Sequence, residues 1–379
     1  MTQVYFDNAS TTKPSDEVID FLSENLRDCY GNPSSLHELG LKAELKMQKA
    51  QSRVLKALGA NDGKIYFTSG GTEANNLAVM GTVFLKQKRG KKIVVSQMEH
   101  SSVLDTCRHL KESGFEVTEL APDINGFIDL ESIKEAVTPD TIFFSMMLVN
   151  NEVGAFEPVK EAVKIIKNQA PNAIIHTDAV QAYGKIPFKV SDLGIDLMSF
   201  SGHKIHAPKG IGGLYVAKNV KISPILFGGE QQDKIRPGTE SVPLTCAFGL
   251  ASEIAQKNLK ANYEKVKEIK TYLAENVLKL PGVVLNGKLE DSSPYLLNIS
   301  VLGYKSETLL HFLSDRGIYL SSGSACQKGA ASHVLISMGL NKERVDSALR
   351  LSFSDDNTLD DAKYFIETLK LGIENLRHK

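Results

Sequence analysis

The sequence has no apolar run long enough to cross a membrane. Its longest, Ile142 to Val149, is broken by Ser145 and falls far short of the roughly 20 residues a spanning helix needs. The N-terminus, Met1-Thr2-Gln3-Val4-Tyr5-Phe6-Asp7, lacks a basic stretch followed by an apolar one, so no secretory signal is expected and the chain reads as cytoplasmic. An excess of either charge is also missing. Forty-four Lys and Arg against 45 Asp and Glu leave a formal net charge of −1. With the basic residues scattered, electrostatic capture of nucleic acid or an anionic membrane is not expected. The one basic run, Lys86-Gln87-Lys88-Arg89-Gly90-Lys91-Lys92, lies where a helix gives way to a turn and reads as a solvated helix end. Cysteine is scarce: Cys29, Cys107, Cys246 and Cys326 stand far apart with no C-x-x-C pair, which argues against a zinc site and a disulfide framework. Internal repeats, low-complexity tracts and flexible linkers are lacking too.

What is present is an ordinary globular composition, 42% hydrophobic and 23% charged over 379 residues, enough chain for two units or one large unit with an appendage. Apolar runs of strand length at 65–67, 93–95, 115–117, 142–144 and 173–176 alternate with helical stretches near 73–88, 101–113, 129–137 and 158–169. Continuous apolar strands separated by helices imply an α/β fold with a mainly parallel sheet covered on both faces. Past Asp196 two strands, 197–200 and 213–216, are joined by a polar loop. A helical region rich in Lys and Glu then runs from about 243 to 280, followed by a smaller α+β set. The expected organisation is an N-terminal arm (1–14) packing with the small domain, a large domain (15–255) and a small C-terminal domain (256–379).

The loop Ser199-Phe200-Ser201-Gly202-His203-Lys204 follows a buried-looking run. A lysine partly desolvated there exposes a neutral amine for Schiff-base chemistry; a solvated surface lysine fits the loop as well. Asp178, at the end of an apolar segment, suits a pyridinium partner or a cap. Thr68-Ser69-Gly70-Gly71-Thr72-Glu73 turns a strand into a helix, as a phosphate cup or as a purely structural turn, and it is no Walker loop, since no Gly-Lys-Ser/Thr follows. His100 belongs at the carboxyl edge of the sheet, where it can stack on a flat cofactor and shuttle protons as a catalytic residue, or serve as a capping or packing residue. Asn150-Asn151 suits hydrogen bonds to a ligand or a turn. Cys326, in the small-residue loop Ser321-Ser322-Gly323-Ser324-Ala325-Cys326-Gln327-Lys328-Gly329, suits a reactive thiol. Arg350, a charge on a short apolar strand, suits a carboxylate.

Taken in order, Thr72, His100, Asn151, Asp178, Gln181, Ser201-Gly202-His203-Lys204, Arg236-Pro237-Gly238-Thr239, Ser322-Gly323-Ser324-Ala325-Cys326 and Arg350 resemble the cysteine desulfurases of the NifS/IscS group. The likeness begins with Tyr5-Phe6-Asp7-Asn8-Ala9-Ser10-Thr11-Thr12 and Gly31-Asn32-Pro33-Ser34-Ser35 and covers nearly the whole chain. It implies the type I fold of pyridoxal phosphate enzymes, like that of aspartate aminotransferase, with pyridoxal 5'-phosphate on Lys204 and a homodimer. It also implies that Gly71, Thr72, Ser201 and His203 hold the phosphate, with Thr239 supplied by the second subunit. His100 would stack on the ring, Asp178 would pair with its nitrogen, and Gln181 would contact its phenolic oxygen. Asn151, Arg350 and Asn32 would bind the substrate, L-cysteine. Lys204 would then take the Cα proton and Cys326 the sulfur, leaving alanine and a persulfide destined for a sulfur-acceptor protein in iron–sulfur cluster assembly or tRNA thiolation.

The chain departs from the family in three places. Glu230 stands where a third glycine often follows Gly228-Gly229, the stretch from Cys326 to Ser332-His333-Val334-Leu335 is short, and little follows the last helix before Lys379. These departures leave the chemistry intact and weigh against docking on an iron–sulfur scaffold. The rival readings are a selenocysteine lyase, which shares the fold and needs no protein thiol, an aminotransferase, and a non-catalytic scaffold subunit.

Overall fold

The computed structural model describes residues 3–323 and 331–376. The chain begins with the short strand β1 (Val4–Tyr5) and helices α1 (Asp16–Asp28) and α2 (Glu38–Ala57). An alternating run follows: β2 (Lys64–Thr68), α3 (Gly71–Lys86), β3 (Lys92–Ser96), α4 (Ser101–Glu112), β4 (Glu116–Leu120), α5 (Leu130–Ala136), β5 (Thr141–Ser145), α6 (Val159–Gln169) and β6 (Ile174–Asp178). After α7 (Val190–Leu193) come β7 (Leu197–Ser201) and β8 (Gly212–Val216). The long helix α8 (Val242–Val277) leads to β9 (Val283–Leu285), β10 (Leu296–Val301), α9 (Ser306–Ser314), β11 (Ile318–Tyr319), α10 (His333–Ser337), α11 (Lys342–Asp346), β12 (Ala348–Ser352) and α12 (Leu359–Asn375).

Seven strands form one sheet in the order β2-β8-β7-β6-β5-β3-β4. Its pairs from β4 through β7 are parallel, and β8 runs antiparallel to both β7 and β2. The mainly parallel sheet expected from the sequence is therefore present, with one reversed strand where the helical crossovers stop. Every residue of β5, β6, β7 and β8 is buried, because helices cover both faces and a central parallel strand has no wet side. The carboxyl ends of β2, β3, β5, β6 and β7 all point to one edge of the sheet, where ligands bind in such folds.

A second core belongs to a three-stranded antiparallel sheet, β12-β10-β9. Val4 and Phe6 pack into it, while β1 pairs in parallel with β11. Helix α8 spans 36 residues and serves both cores: Phe248 and Ala251 pack in the first, Val266, Ile269 and Leu273 in the second. Its approach to α2 is close enough to require glycine, since a Cβ at Gly249 would lie 2.8 Å from Ala50 Cα. Sequence periodicity missed α7 and α11, whose four and five residues are too few to show a 3.6-residue repeat.

Phe6 is fully buried, edge-on to Phe353 at 5.3 Å and to Phe365 at 6.0 Å. Truncation by Phe6→Ala leaves a cavity between the N-terminal segment and the second core. Chemical denaturation is expected to show a loss of about 3–5 kcal/mol.

Candidate active site

A cavity of about 170 Å³ opens at the carboxyl edge, lined by residues from nearly every strand end there. The β2–α3 turn brings Gly71 and Thr72, β3 leads to His100, and the segment after β5 carries Met147 and Asn151. Asp178 and Gln181 follow β6, and Ser201, His203 and Lys204 follow β7. Arg350 arrives from β12 in the second core, and Ala9 and Ser10 from the N-terminal segment. A larger recess of about 310 Å³ lies on the other side of Lys204, which borders both. The smaller cavity holds the convergent chemistry.

The α3 end of the cavity suits an anion. The first turn of any helix presents N–H groups with no intrahelical partner, and its dipole favours negative charge. A Cβ at Gly71 would come within 3.0 Å of Val180 and 3.6 Å of Ser201, so glycine keeps this end open. Ser201 Oγ is buried with no partner among the described residues. Beside it, burial and the charges of Lys204, Lys209 and Lys185 push His203 down to about 3, so the ring is neutral and its Nδ1 lies 3.2 Å from Thr11 Oγ1.

Elsewhere in the cavity the carboxylate of Asp178 accepts from Asn75 Nδ2 at 2.7 Å and from Val180 N at 2.8 Å, which fixes its orientation. Lys204 Nζ donates to the carbonyls of Ala9 at 2.5 Å and Ser10 at 2.7 Å. His100 caps α4, its Nδ1 accepting from Ser102 N at 3.1 Å. Arg350 is 2% exposed. It donates to Asp7 Oδ1 at 3.0 Å, Ser10 Oγ at 2.7 Å and the Asn151 carbonyl at 3.2 Å, while Arg350 Nε and Asn151 Oδ1 have no partner among the described residues. The donor set therefore fits a cofactor that joins an anionic phosphate to a basic ring: an anion cup at a helix start, a fixed carboxylate and one lysine amine. It leaves a guanidinium nitrogen and an amide oxygen for a substrate's carboxylate and ammonium groups.

Gly71, Thr72, His100, Asn151, Asp178, Gln181, Ser201, His203, Lys204 and Arg350 are thus gathered in one place. Thr239 and Asn32 do not line the cavity: both are exposed, and Asn32 Oδ1 turns back to accept from Ser34 N at 2.9 Å. Cys326 lies outside the described residues. The chain on either side of it is tied to this region, since Ser321 pairs with the backbone of Arg350 and the Ser332 hydroxyl donates to Glu152. Sequence reasoning missed Asn75 as the partner of Asp178, although a buried asparagine between Ala74 and Leu77 on an apolar helix face was a readable signal. It also did not foresee that Ala9 and Ser10 form part of the wall, or that Asp7 holds Arg350.

Beneath the cavity runs a buried polar chain. Ser145 Oγ donates to Glu99 Oε1 at 2.5 Å, and His176 bridges Ser145 Oγ and Ser199 Oγ at 2.9 Å each. Burial, reinforced by the charge of Asp178, pushes Glu99 well above the usual carboxylate range, so no second negative charge stands beside Asp178. Burial pushes His176 from 6.5 down to about 3. The folded protein keeps this ring neutral while the unfolded chain takes up a proton, so stability is lost as pH falls below about 6.5, by up to about 1.4 kcal/mol per pH unit. Urea denaturation of His176→Asn between pH ~6.5 and ~4.5 should show an acid limb flatter than wild type by about that slope.

The comparisons with known proteins agree with this geometry. The family model described as aminotransferase class-V matches residues 4–365. The cysteine desulfurase IscS of Methanosarcina thermophila is 39% identical over 377 residues, covering 99% of this chain and 93% of that protein. Among solved structures, a NifS-like protein superposes with a TM-score of 0.94 at 35% identity, over 99% of this chain and 100% of its own. A second, titled SspA in complex with cysteine, superposes with a TM-score of 0.80 at 31% identity, over 93% of this chain and 99% of its own.

Proposed function

We propose, from the premise that the chain belongs to the class-V aminotransferase family and to its cysteine desulfurases, that it uses pyridoxal 5'-phosphate to move sulfur from free L-cysteine to Cys326, releasing L-alanine. The observation that carries this reading is the convergence in one cavity of Lys204, Asp178, the unpartnered Ser201 hydroxyl and the unpartnered Nε of Arg350. The cysteine in the SspA complex supports the same substrate.

Gly71, Thr72, Ser201 and His203 would hold the phosphate, Asp178 the ring nitrogen, and His100 a ring face. The bound cofactor supplies an electron sink for negative charge at the substrate Cα. Arg350 and the Asn151 amide N–H hold the substrate carboxylate, with Arg350 kept in place by Asp7, Ser10 and the Asn151 carbonyl. Lys204 Nζ, directed by the Ala9 and Ser10 carbonyls, takes the Cα proton. The Cys326 thiolate then attacks the substrate sulfur: an S–S bond forms, the Cβ–S bond breaks with its electron pair left on carbon, and protonation of Cβ together with return of the proton from Lys204 to Cα completes alanine. Gly323, three residues before Cys326 in the sequence, sits beside Glu152, adjacent to Asn151, and the Ser332 hydroxyl donates to the same carboxylate.

The active form in this reading is a homodimer. Tyr30, Leu36 and Phe227 are large apolar side chains left exposed, and Thr239, outside the cavity of its own chain, is available to that of a second copy. The product persulfide requires an acceptor protein, in iron–sulfur cluster assembly or tRNA thiolation. A reducing compartment, the cytoplasm, keeps such a thiol available. Among the described residues no helix is long and apolar enough to cross a membrane.

Mass spectrometry after incubation with cysteine is expected to find one added sulfur on Cys326. Cys326→Ser should abolish that adduct and lower desulfuration at least about a hundredfold, as expected on removal of a nucleophile; unchanged desulfuration would point to a lyase that needs no protein thiol. Lys204→Ala should remove the visible absorbance of the purified protein. Colour retained in that variant would overturn the cofactor assignment.

A further inference from the structure

Behind Gln181, on the side away from the cavity, lies a buried lysine that the reaction above does not use. Lys185 is 6% exposed and borders the larger recess beyond Lys204. It sits on the helical turn that follows β6, where Lys185 N bonds to the Ala182 carbonyl. Its Nζ donates to Gln181 Oε1 at 2.9 Å and lies 5.9 Å from the Tyr295 ring centroid. A buried ammonium is costly unless it is paired. No carboxylate pairs with this one: the charges that act on it, Lys204 and Arg350, share its sign, and burial with those two charges brings it down to about 7. A lysine kept in so unfavourable a place, with a glutamine as its one hydrogen-bond acceptor, points to a task at that glutamine.

An amide presents an acceptor on one side and two donors on the other, and the two orientations have nearly the same shape. The Ala9 carbonyl on one side of Gln181 can only accept and a charged lysine on the other can only donate, so the amide turns Oε1 toward Lys185. Gln181 Nε2 then donates to the Ala9 carbonyl at 3.0 Å, the same oxygen that accepts from Lys204. The row Lys185, Gln181, Ala9 carbonyl, Lys204 is continuous, and it leaves the second N–H of Gln181 for a ligand in the cavity that Gln181 lines.

We propose that Lys185 is a positioning residue for this site: by holding Gln181 Oε1 it presents the Gln181 amide as a hydrogen-bond donor to an oxygen of the bound cofactor. The inference rests on the cofactor reading of the preceding subsection. Removing the lysine leaves Oε1 buried without a partner, which the amide relieves by rotating away.

The test uses the full-length protein stripped of cofactor and titrated with pyridoxal 5'-phosphate, reading the visible band and the dissociation constant, with thermal melting in parallel. Lys185→Met is expected to shift the band and weaken cofactor binding roughly tenfold, the scale of one lost hydrogen bond. Lys185→Arg, which keeps donors toward Gln181, is expected to restore both. If the Met variant does not fold, Gln181→Glu puts the same question with Lys185 in place, since the carboxylate still accepts from the lysine and has no N–H for the cavity; the same band shift is expected. A Lys185→Met protein, or failing that a Gln181→Glu protein, that melts lower yet keeps the wild-type band and affinity would overturn the proposal and leave a packing role. Failure of the wild-type protein to take up coloured cofactor would instead sink the reading on which the inference rests.

Discussion

The structure turns on one buried charge. Arg350 lies on β12, an outer strand of the second core's sheet, and its guanidinium is almost wholly out of water. A cation in that position is tolerable only if its nitrogens are satisfied. For the two terminal nitrogens the satisfaction comes from two segments distant in sequence: Asp7 and Ser10 from the N-terminal segment, and the Asn151 carbonyl from the turn after β5. Its backbone also pairs with Ser321. Holding one guanidinium in place therefore requires both cores and the N-terminal segment to be assembled together, and the same assembly builds the cavity wall.

The remaining charges follow from that arrangement. Lys204 is directed by carbonyls of the segment that Arg350 anchors, and Lys185 reaches the same carbonyl through Gln181. Burial, reinforced by the charges of Lys204 and Arg350, lowers the proton affinity of Lys185, and burial with the charges of Lys204, Lys209 and Lys185 keeps His203 neutral. On the other side Glu99 is neutralised by burial and by Asp178, so the cavity floor carries a single carboxylate. A site with one fixed anion, one reactive amine and a helix N-terminus can hold a zwitterionic cofactor without further countercharge.

Rigidity and reach are divided between different parts of the chain. The groups that orient a substrate sit on strand ends and helix starts, where backbone hydrogen bonding limits their movement. The residue assigned to sulfur transfer sits on a connection whose two ends meet beside Glu152, within contact of Asn151's turn. A fixed floor and a tethered nucleophile suit a reaction whose second half must deliver its product to another molecule.

Much of this was legible in the sequence. Runs such as Ile142-Phe143-Phe144 and Ile174-Ile175, apolar without alternation, can only be central parallel strands once helices flank them, and burial on both faces is the physical reason. The polar residues ending those runs, His100, Asp178 and Ser201, had to fall on the carboxyl edge, because chain direction in a parallel sheet leaves no other place. The order of the motifs was enough to suggest the chemistry. The sequence could not show which polar groups were partners. That Asn75 holds Asp178, that Ala9 and Ser10 receive Lys204, and that Asp7 neutralises Arg350 are contacts between positions up to 343 residues apart. No local periodicity encodes such contacts, since they exist only when two cores close on each other. Sequence alone thus determined the sheet, its functional edge and the kinds of groups delivered there, because those depend on local pattern and chain direction. Tertiary structure alone decided which of those groups stay charged, which are held neutral, and that an unremarked lysine stands behind the glutamine, because burial and the nearness of other charges are properties of the folded chain.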